Sequence, residues 1–289
     1  MIATMSHNPH PHSMMSPLAR MAVMSLWKRE IVRFLRQRNR VTSALLTPVI
    51  FWLMLGAGMN NTFTPTPGSA PGETLVNASE SIGYMAYFFP GIIVMILLFT
   101  AIFSTITIIE DRREGFLQGV LVSPAPRLAI VLGKILGGAS IATLQGMVFL
   151  LLWPLVVGWE GWASVLTMLA AVPIMLLLAV GLTGLGLCIA WPMDSTAGFH
   201  AVMMIFLMPM WMLCGAVFPV ATAPLAMKII MYANPLTYGY ALLAAVMGGD
   251  QATQLQVTPW LAVPITLASV AGTVGLAGVL ARRPRAEGI

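Results

Sequence analysis

An all-α membrane protein built on six transmembrane helices is the fold this sequence predicts, and three observations predict it. Of 289 residues, 58% are hydrophobic and only 9% charged, far below the quarter or so of charged side chains in a soluble domain. Six stretches reach the ~20 predominantly apolar residues that cross a bilayer. Fourteen of the fifteen basic residues fall on one side when the first stretch is entered from the cytoplasm, as the retention of Lys and Arg near span ends requires. Both termini are therefore expected to be cytoplasmic. The net charge of +5 sits at the edges of apolar spans, where membrane topology explains it and nucleic acid does not.

Residues 1–17 mix Pro, His and Ser without periodicity and read as a disordered tail. Three imidazoles there, His7, His10 and His12, form no expected metal site, being separated by prolines on a floppy segment. About forty residues precede the first apolar stretch, and no small-residue cleavage site follows it. A removable signal peptide is not expected, and the first span should stay as an anchor. Over 18–40, Leu18, Val23, Leu26, Trp27, Ile31, Phe34 and Leu35 interleave with cations, which describes an amphipathic helix lying in the headgroup region as an elbow.

The six-span domain then occupies 41–285, with spans near 41–59, 85–109, 128–157, 163–190, 197–219 and 258–281. Pro154 and Pro173 mark possible bends. Residues 60–84 are polar, rich in Pro and Gly and free of Lys and Arg, as an external loop should be. Asn77-Ala78-Ser79 matches a glycosylation acceptor, to which no function is attached.

Two connections carry more information. Residues 110–127 are short and charged, yet Phe116, Leu117, Val120 and Leu121 keep helical spacing, so a small amphipathic helix can dock there on a partner or on the bundle; an ordinary charged loop fits the spacing equally. Between the fifth and last spans, apolar residues are interrupted by Asn234-Pro235 and are too few to cross twice. They predict a broken pair of helices re-entering from outside, where irregular backbone at membrane depth must be buried or line a cavity; a surface helix resting on the outer leaflet is the alternative.

Four features in order resemble the ABC-2 type permeases, especially the daunorubicin-type drug-efflux and nodulation-type export permeases. These are the basic elbow, Arg113-Glu114-Gly115-Phe116-Leu117 followed by Leu121-Val122-Ser123-Pro124, the Phe218-Pro219 turn, and Asn234-Pro235-Leu236-Thr237-Tyr238. The resemblance covers nearly the whole chain from about residue 20. It implies that the loop after the second span is a coupling helix, held in a cleft of a separate nucleotide-binding subunit through Arg113, Glu114, Gly115, Phe116, Leu117 and Pro124. Gln118 and Gly119 depart from the commoner pattern, which has an acidic and a bulkier residue there. Phe218, Pro219, Asn234, Pro235 and Tyr238 would form the re-entrant, extracellular gate. Two permeases, expected as a homodimer in a prokaryotic inner membrane, would pair with two ATPase subunits.

The chain itself is not expected to be an enzyme or to bind a cofactor. It contains no G-x-x-x-x-G-K-[ST] phosphate loop, and Gly133-Lys134 is followed by Ile135 at the start of an apolar span. ATP and magnesium would belong to the partner. His200 is the best candidate for a functional ionisable group within a span, and with Met204 and Met208 it marks a possible pathway for a hydrophobic drug, lipid or glycoconjugate. Asp194-Ser195-Thr196 reads as a turn and helix cap. Cys188 and Cys214 read as small buried hydrophobes. The competing function is a secondary carrier or channel without an ATPase, which the scarcity of membrane carboxylates and the lack of evident inverted repeats disfavour.

Overall fold

The computed structural model describes residues 17–36, 38–58, 78–122, 126–218, 220, 223–247 and 257–282. Among them the protein is all helical. The elements are α1 (Pro17–Arg36), α2 (Arg38–Gly58), α3 (Ala78–Ser104), α4 (Thr107–Arg113), α5 (Phe116–Val122), α6 (Arg127–Leu150), α7 (Trp153–Val157), α8 (Trp162–Ala190), α9 (Thr196–Trp211), a π-helical turn (Met212–Ala216), α10 (Leu225–Ala233), α11 (Pro235–Val246) and α12 (Pro259–Arg282). The histidine-bearing tail and residues 60–77 of the loop predicted over 60–84 lie outside the described residues, and the rest of that stretch is helical instead, because α3 begins at Ala78.

Among the described residues five stretches are long and apolar enough to cross a membrane: Met85–Arg113, Arg127–Val157, α8, Thr196–Ala216 and α12. The first predicted span corresponds to α2. The helix predicted over 18–40 ends at Arg36, and Arg38 to Arg40 belong to α2. Pro154 sits in the first turn of α7, after a turn that breaks the third span, whereas α8 continues through Pro173.

α3 is the core of the bundle. Phe88, Phe89, Ile92, Ile93, Leu97 and Leu98 are all fully buried, and α2, α6, α8, α9 and α11 pack around it. Its helix passes one irregular turn at Thr105–Ile106 and runs on as α4 through the charged residues 110–113. The second span is thus longer than its apolar run. Gly115, at φ 76°, ends α4 in the left-handed region that glycine tolerates, so residues 110–122 form two short helices where one was predicted.

α1 does not stand apart from the bundle: it lies along α6. Contact this close is possible because α6 presents glycines four residues apart. A Cβ at Gly133 would sit 2.7 Å from Leu26 Cβ, and one at Gly137 2.6 Å from Glu30 Cβ. Small residues of this kind let helix backbones approach in a membrane, where lipid is as apolar as leucine and close packing must supply the attraction. Trp27 adds a hydrogen bond from its indole N–H to Ser140 Oγ at 3.0 Å.

Gly137→Val therefore separates α1 from α6. Overpacking of this kind costs about 1–3 kcal/mol, and the thermal unfolding midpoint of the detergent-solubilised protein should fall by several degrees. Gly272→Ala, at a site with nothing within 4 Å of the added carbon, should leave it unchanged.

Candidate functional site

The charged end of the bundle is organised around Lys134. This residue lies seven positions into α6, and its side chain is only 4% exposed. No lysine is stable there alone, since an ammonium taken out of water without partners loses several kcal/mol of solvation. Its Nζ donates to Glu30 Oε1 of α1 at 2.6 Å, to Asp111 Oδ2 of α4 at 2.5 Å and to Thr107 Oγ1 at 2.9 Å. The Thr107 hydroxyl in turn reaches Glu30 Oε2 at 3.1 Å. One ammonium thus joins three helices through its three protons.

Asp111 is the second centre. Arg29 grips it with both terminal nitrogens, at 3.0 and 2.7 Å, a fork that matches carboxylate geometry. Arg33 donates to the same carboxylate at 2.8 Å and to Glu110 Oε2 at 2.8 Å, with Glu114 at 3.7 Å. The hydrogen bond to Asp111 raises the Arg29 guanidinium above its ordinary value, so it stays charged. The same guanidinium lies 3.8 Å from the centre of the Phe116 ring, within cation–π range. Arg29 thereby connects α1 to both α4 and α5.

On the other side of α4, Arg112 donates to the carbonyls of Trp191 and Met193, both at 2.8 Å, and to Asp194 Oδ1 at 3.0 Å. Arg113 Nε donates to the Asp194 carbonyl at 3.0 Å. These residues form the turn between α8 and α9. The cap of α9 is Ser195, whose hydroxyl accepts from the Gly198 N–H at 3.2 Å; Asp194 serves instead as an acceptor for Arg112. The α4–α5 segment is consequently tied to α1 and α6 on one flank and to the α8–α9 turn on the other.

Of the residues expected to meet a nucleotide-binding subunit, Arg113, Glu114, Gly115 and Phe116 are exposed, while Leu117 is turned inward and buried. Pro124 lies outside the described residues, as does Pro219. Phe218 is exposed just beyond the π turn.

The Asn-Pro-Leu-Thr-Tyr element is a locked hinge. α10 and α11 meet at 85°, and the bend is built from Asn234, whose Oδ1 caps α11 by accepting from the Leu236 N–H at 3.0 Å. Its amide donates to the Met210 carbonyl of α9 at 2.6 Å. Pro235 occupies the first helical position, where its missing N–H costs nothing. The hydroxyls of Thr237 and Tyr238 reach back to the carbonyls of Met231 and Tyr232, at 2.6 and 2.8 Å.

His200, Met204 and Met208, spaced by one helical turn on α9, line a cavity of about 640 Å³ bounded by α1, α2, α3 and the start of α4. Phe34, Phe51, Phe99 and Phe103 provide most of its walls, and Glu110 lies at its charged end. Among the described residues no group of three or more His, Cys, Asp or Glu is placed to hold a metal ion.

The family model of the ABC-2 type transporter matches residues 21–247, well over half of the chain. This protein belongs to that family. Membership makes it a multi-pass transmembrane subunit of an ABC transporter. Its relatives include nodulation protein J of Rhizobium leguminosarum bv. viciae, 24% identical over 230 residues that cover 78% of this chain and 82% of the relative. A putative transport permease, ycf38, of Cyanophora paradoxa is 24% identical over 74% of this chain and 69% of its own length. The probable multidrug ABC transporter permease YbhR of Escherichia coli (strain K12) is 24% identical over 55% of this chain and 43% of its own.

Sequence reasoning counted Arg29, Arg33 and Lys134 only toward topology, gave Asp111 no role of its own, and missed the cluster they form with Glu30. Two signals were present: Glu30 is the single acid in an otherwise basic helix, and Lys134 stands inside an apolar span, where an ionisable residue needs a named partner. Lys134→Met should leave Glu30 with only the longer contact to Arg29 at 3.4 Å, take one of three cations from Asp111, and lower stability by about 3–5 kcal/mol. Adding Glu30→Gln should recover part of that loss, so the double variant measured by chemical denaturation should be more stable than the two single losses summed.

Proposed function

We propose that this chain is the membrane half of an ATP-driven exporter of a hydrophobic or amphipathic cargo, working by alternating access with separate ATPase subunits. The observation that carries this reading is the double fastening of α4–α5. The segment's outer surface presents Glu114, Gly115 and Phe116, while its inner surface is held by ion pairs and hydrogen bonds to α1, α6 and the α8–α9 turn. A displacement applied to α5 is delivered at once to helices on both sides of the cavity, which is the task of a coupling helix.

Arg29, Arg33, Arg112, Arg113, Arg127, Lys134 and Arg282 supply the cytoplasmic end in this reading, following the positive-inside rule. Arg127 supports the grouping by reaching the carbonyls of Ala281 and Arg282 at 3.5 and 3.3 Å. α1 is then the elbow at the inner headgroups, and the α10–α11 pair with Phe218 re-enters from outside as the gate. ATP and magnesium bind the partner. Two copies of this chain, in a prokaryotic inner membrane, complete the pathway with His200, Met204 and Met208 on its wall.

Affinity capture of the tagged chain from detergent-solubilised native membranes should bring down a nucleotide-binding subunit with ATPase activity; a chain that purifies alone and inactive would refute the reading. In that complex, Glu114→Ala with Phe116→Ala should leave membrane insertion intact. Transport per ATP hydrolysed should fall by about tenfold, the effect of ~1.4 kcal/mol of lost contact. Unchanged transport would remove α5 from the coupling role.

A further inference from the structure

The cavity walls differ in chemistry along their length. On α9 the series His200, Met204, Met208 spans about 12 Å at 1.5 Å per residue, with the imidazole at the charged end. On α3 and α4 the polarity rises in the same direction, from Met95 and Ile96 through Ser104 to Glu110. The two elements run antiparallel yet agree, so the space has one apolar end and one polar end. A molecule that fills it must be an amphiphile.

Two of the three hydroxyls along its wall serve as acceptors. The Ser104 hydroxyl spends its proton on the Ala101 carbonyl at 2.6 Å, and the Thr100 hydroxyl spends its own on Gln145 Oε1 at 2.5 Å. His200 Nδ1 lies 3.0 Å from the Thr196 carbonyl. A carbonyl can only accept, so Nδ1 carries a hydrogen. Glu110 has one oxygen held by Arg33, but Arg33 is shared with Asp111 and Glu114, so the carboxylate is only partly neutralised. Among the described residues no lysine or arginine lines the space. Phe34 and Phe103 bring aromatic rings to the same end, where a cation is attracted to a ring face.

We propose that this cavity binds a cationic amphiphile, with its apolar body among Phe51, Phe99, Met204 and Met208 and its positive group at Glu110 and His200. An anionic lipid or detergent of the same shape meets the Glu110 carboxylate and is disfavoured. The proposal deepens the exporter reading by naming the charge of the cargo, and rests on that reading only for what happens after binding.

Two hydrophobic ions of nearly identical shape and opposite charge, tetraphenylphosphonium and tetraphenylborate, separate the possibilities. Their binding is measured on the full chain without ATPase, in nanodiscs of zwitterionic lipid, with empty nanodiscs subtracted. Tetraphenylphosphonium should bind saturably and tetraphenylborate should not. Glu110→Gln should weaken the cation's binding by about tenfold, the loss of one partly screened charge contact. Met204→Trp, which fills the space from the opposite wall, should abolish binding, whereas Ile205→Trp, on the exposed face of α9, should not change it. Equal binding of the two ions, or full binding by both Glu110→Gln and Met204→Trp, would overturn the assignment. Because no nucleotide is involved, cation binding by a chain that captures no ATPase would fault the exporter reading alone, and capture of an ATPase without cation binding would fault this one alone.

Discussion

Everything at the charged end depends on one ammonium group out of reach of water. Lys134 has three protons and three acceptors, and those acceptors come from α1 and α4. The arrangement is weak evidence for raw stability, because desolvation offsets most of the Coulombic gain of a buried pair. What it supplies is register: the lysine is satisfied only when Glu30, Thr107 and Asp111 stand at one height along the bundle. Apolar packing in lipid sets no such register by itself, since one leucine-rich face slides on another at little cost. The glycines at 133 and 137 belong to the same device, because without their missing side chains α1 could not bring Glu30 close enough.

The opposite end uses neutral hydrogen bonds to the same purpose. A bend of 85° between α10 and α11 exposes carbonyls and N–H groups that lipid cannot satisfy. Asn234, Thr237 and Tyr238 answer them locally, and the Asn234 amide joins the hairpin to α9 through Met210. Just beyond, Trp211 donates its indole N–H to the Gly91 carbonyl of α3 at 2.8 Å. α9 is thus anchored at its far end to the core helix and to the hinge, and at its near end, through the α8–α9 turn, to Arg112 and Arg113 of α4. Between these anchors Phe199, Met203 and Leu207 are fully buried while Val202, Met204, Ile205 and Phe206 remain exposed, so the helix facing the cavity is packed along one face only.

Hydropathy and basic-residue placement made the span order legible, because each depends on composition within a window. Asn234-Pro235 was also readable, since proline and a capping side chain act on their immediate neighbours. The boundary at Gly115 was not: an apolar spacing of 116, 117, 120 and 121 cannot reveal that the preceding turn needs a positive φ. Nor was the Lys134 cluster, whose members lie 23 and 104 residues away along the chain and meet only because α1 folds back on α6. Charge counted toward topology hides such pairing, since a lysine that fixes orientation and one that joins three helices read alike in sequence. His200, Met204 and Met208 could be grouped from their spacing on one helix, but the aromatic walls opposite them come from three others.

Glu110 belongs to both halves of the molecule. Through Arg33 it is part of the network that holds α4 to α1, and through its place on the cavity wall it faces whatever occupies that space. A carboxylate shared in this way couples the two by electrostatics alone. If α5 is pushed and Arg33 shifts toward Asp111 or Glu114, Glu110 loses its counter-ion and holds a cation in the cavity more tightly. If Arg33 moves toward Glu110, the cation's partner is withdrawn and its hold weakens. Linkage makes the effect reciprocal, so a bound cation must also bias the position of Arg33 and, through Arg29 and Phe116, of α5. No rearrangement of the apolar core is needed for that exchange, only a choice by one guanidinium among three carboxylates already within its reach.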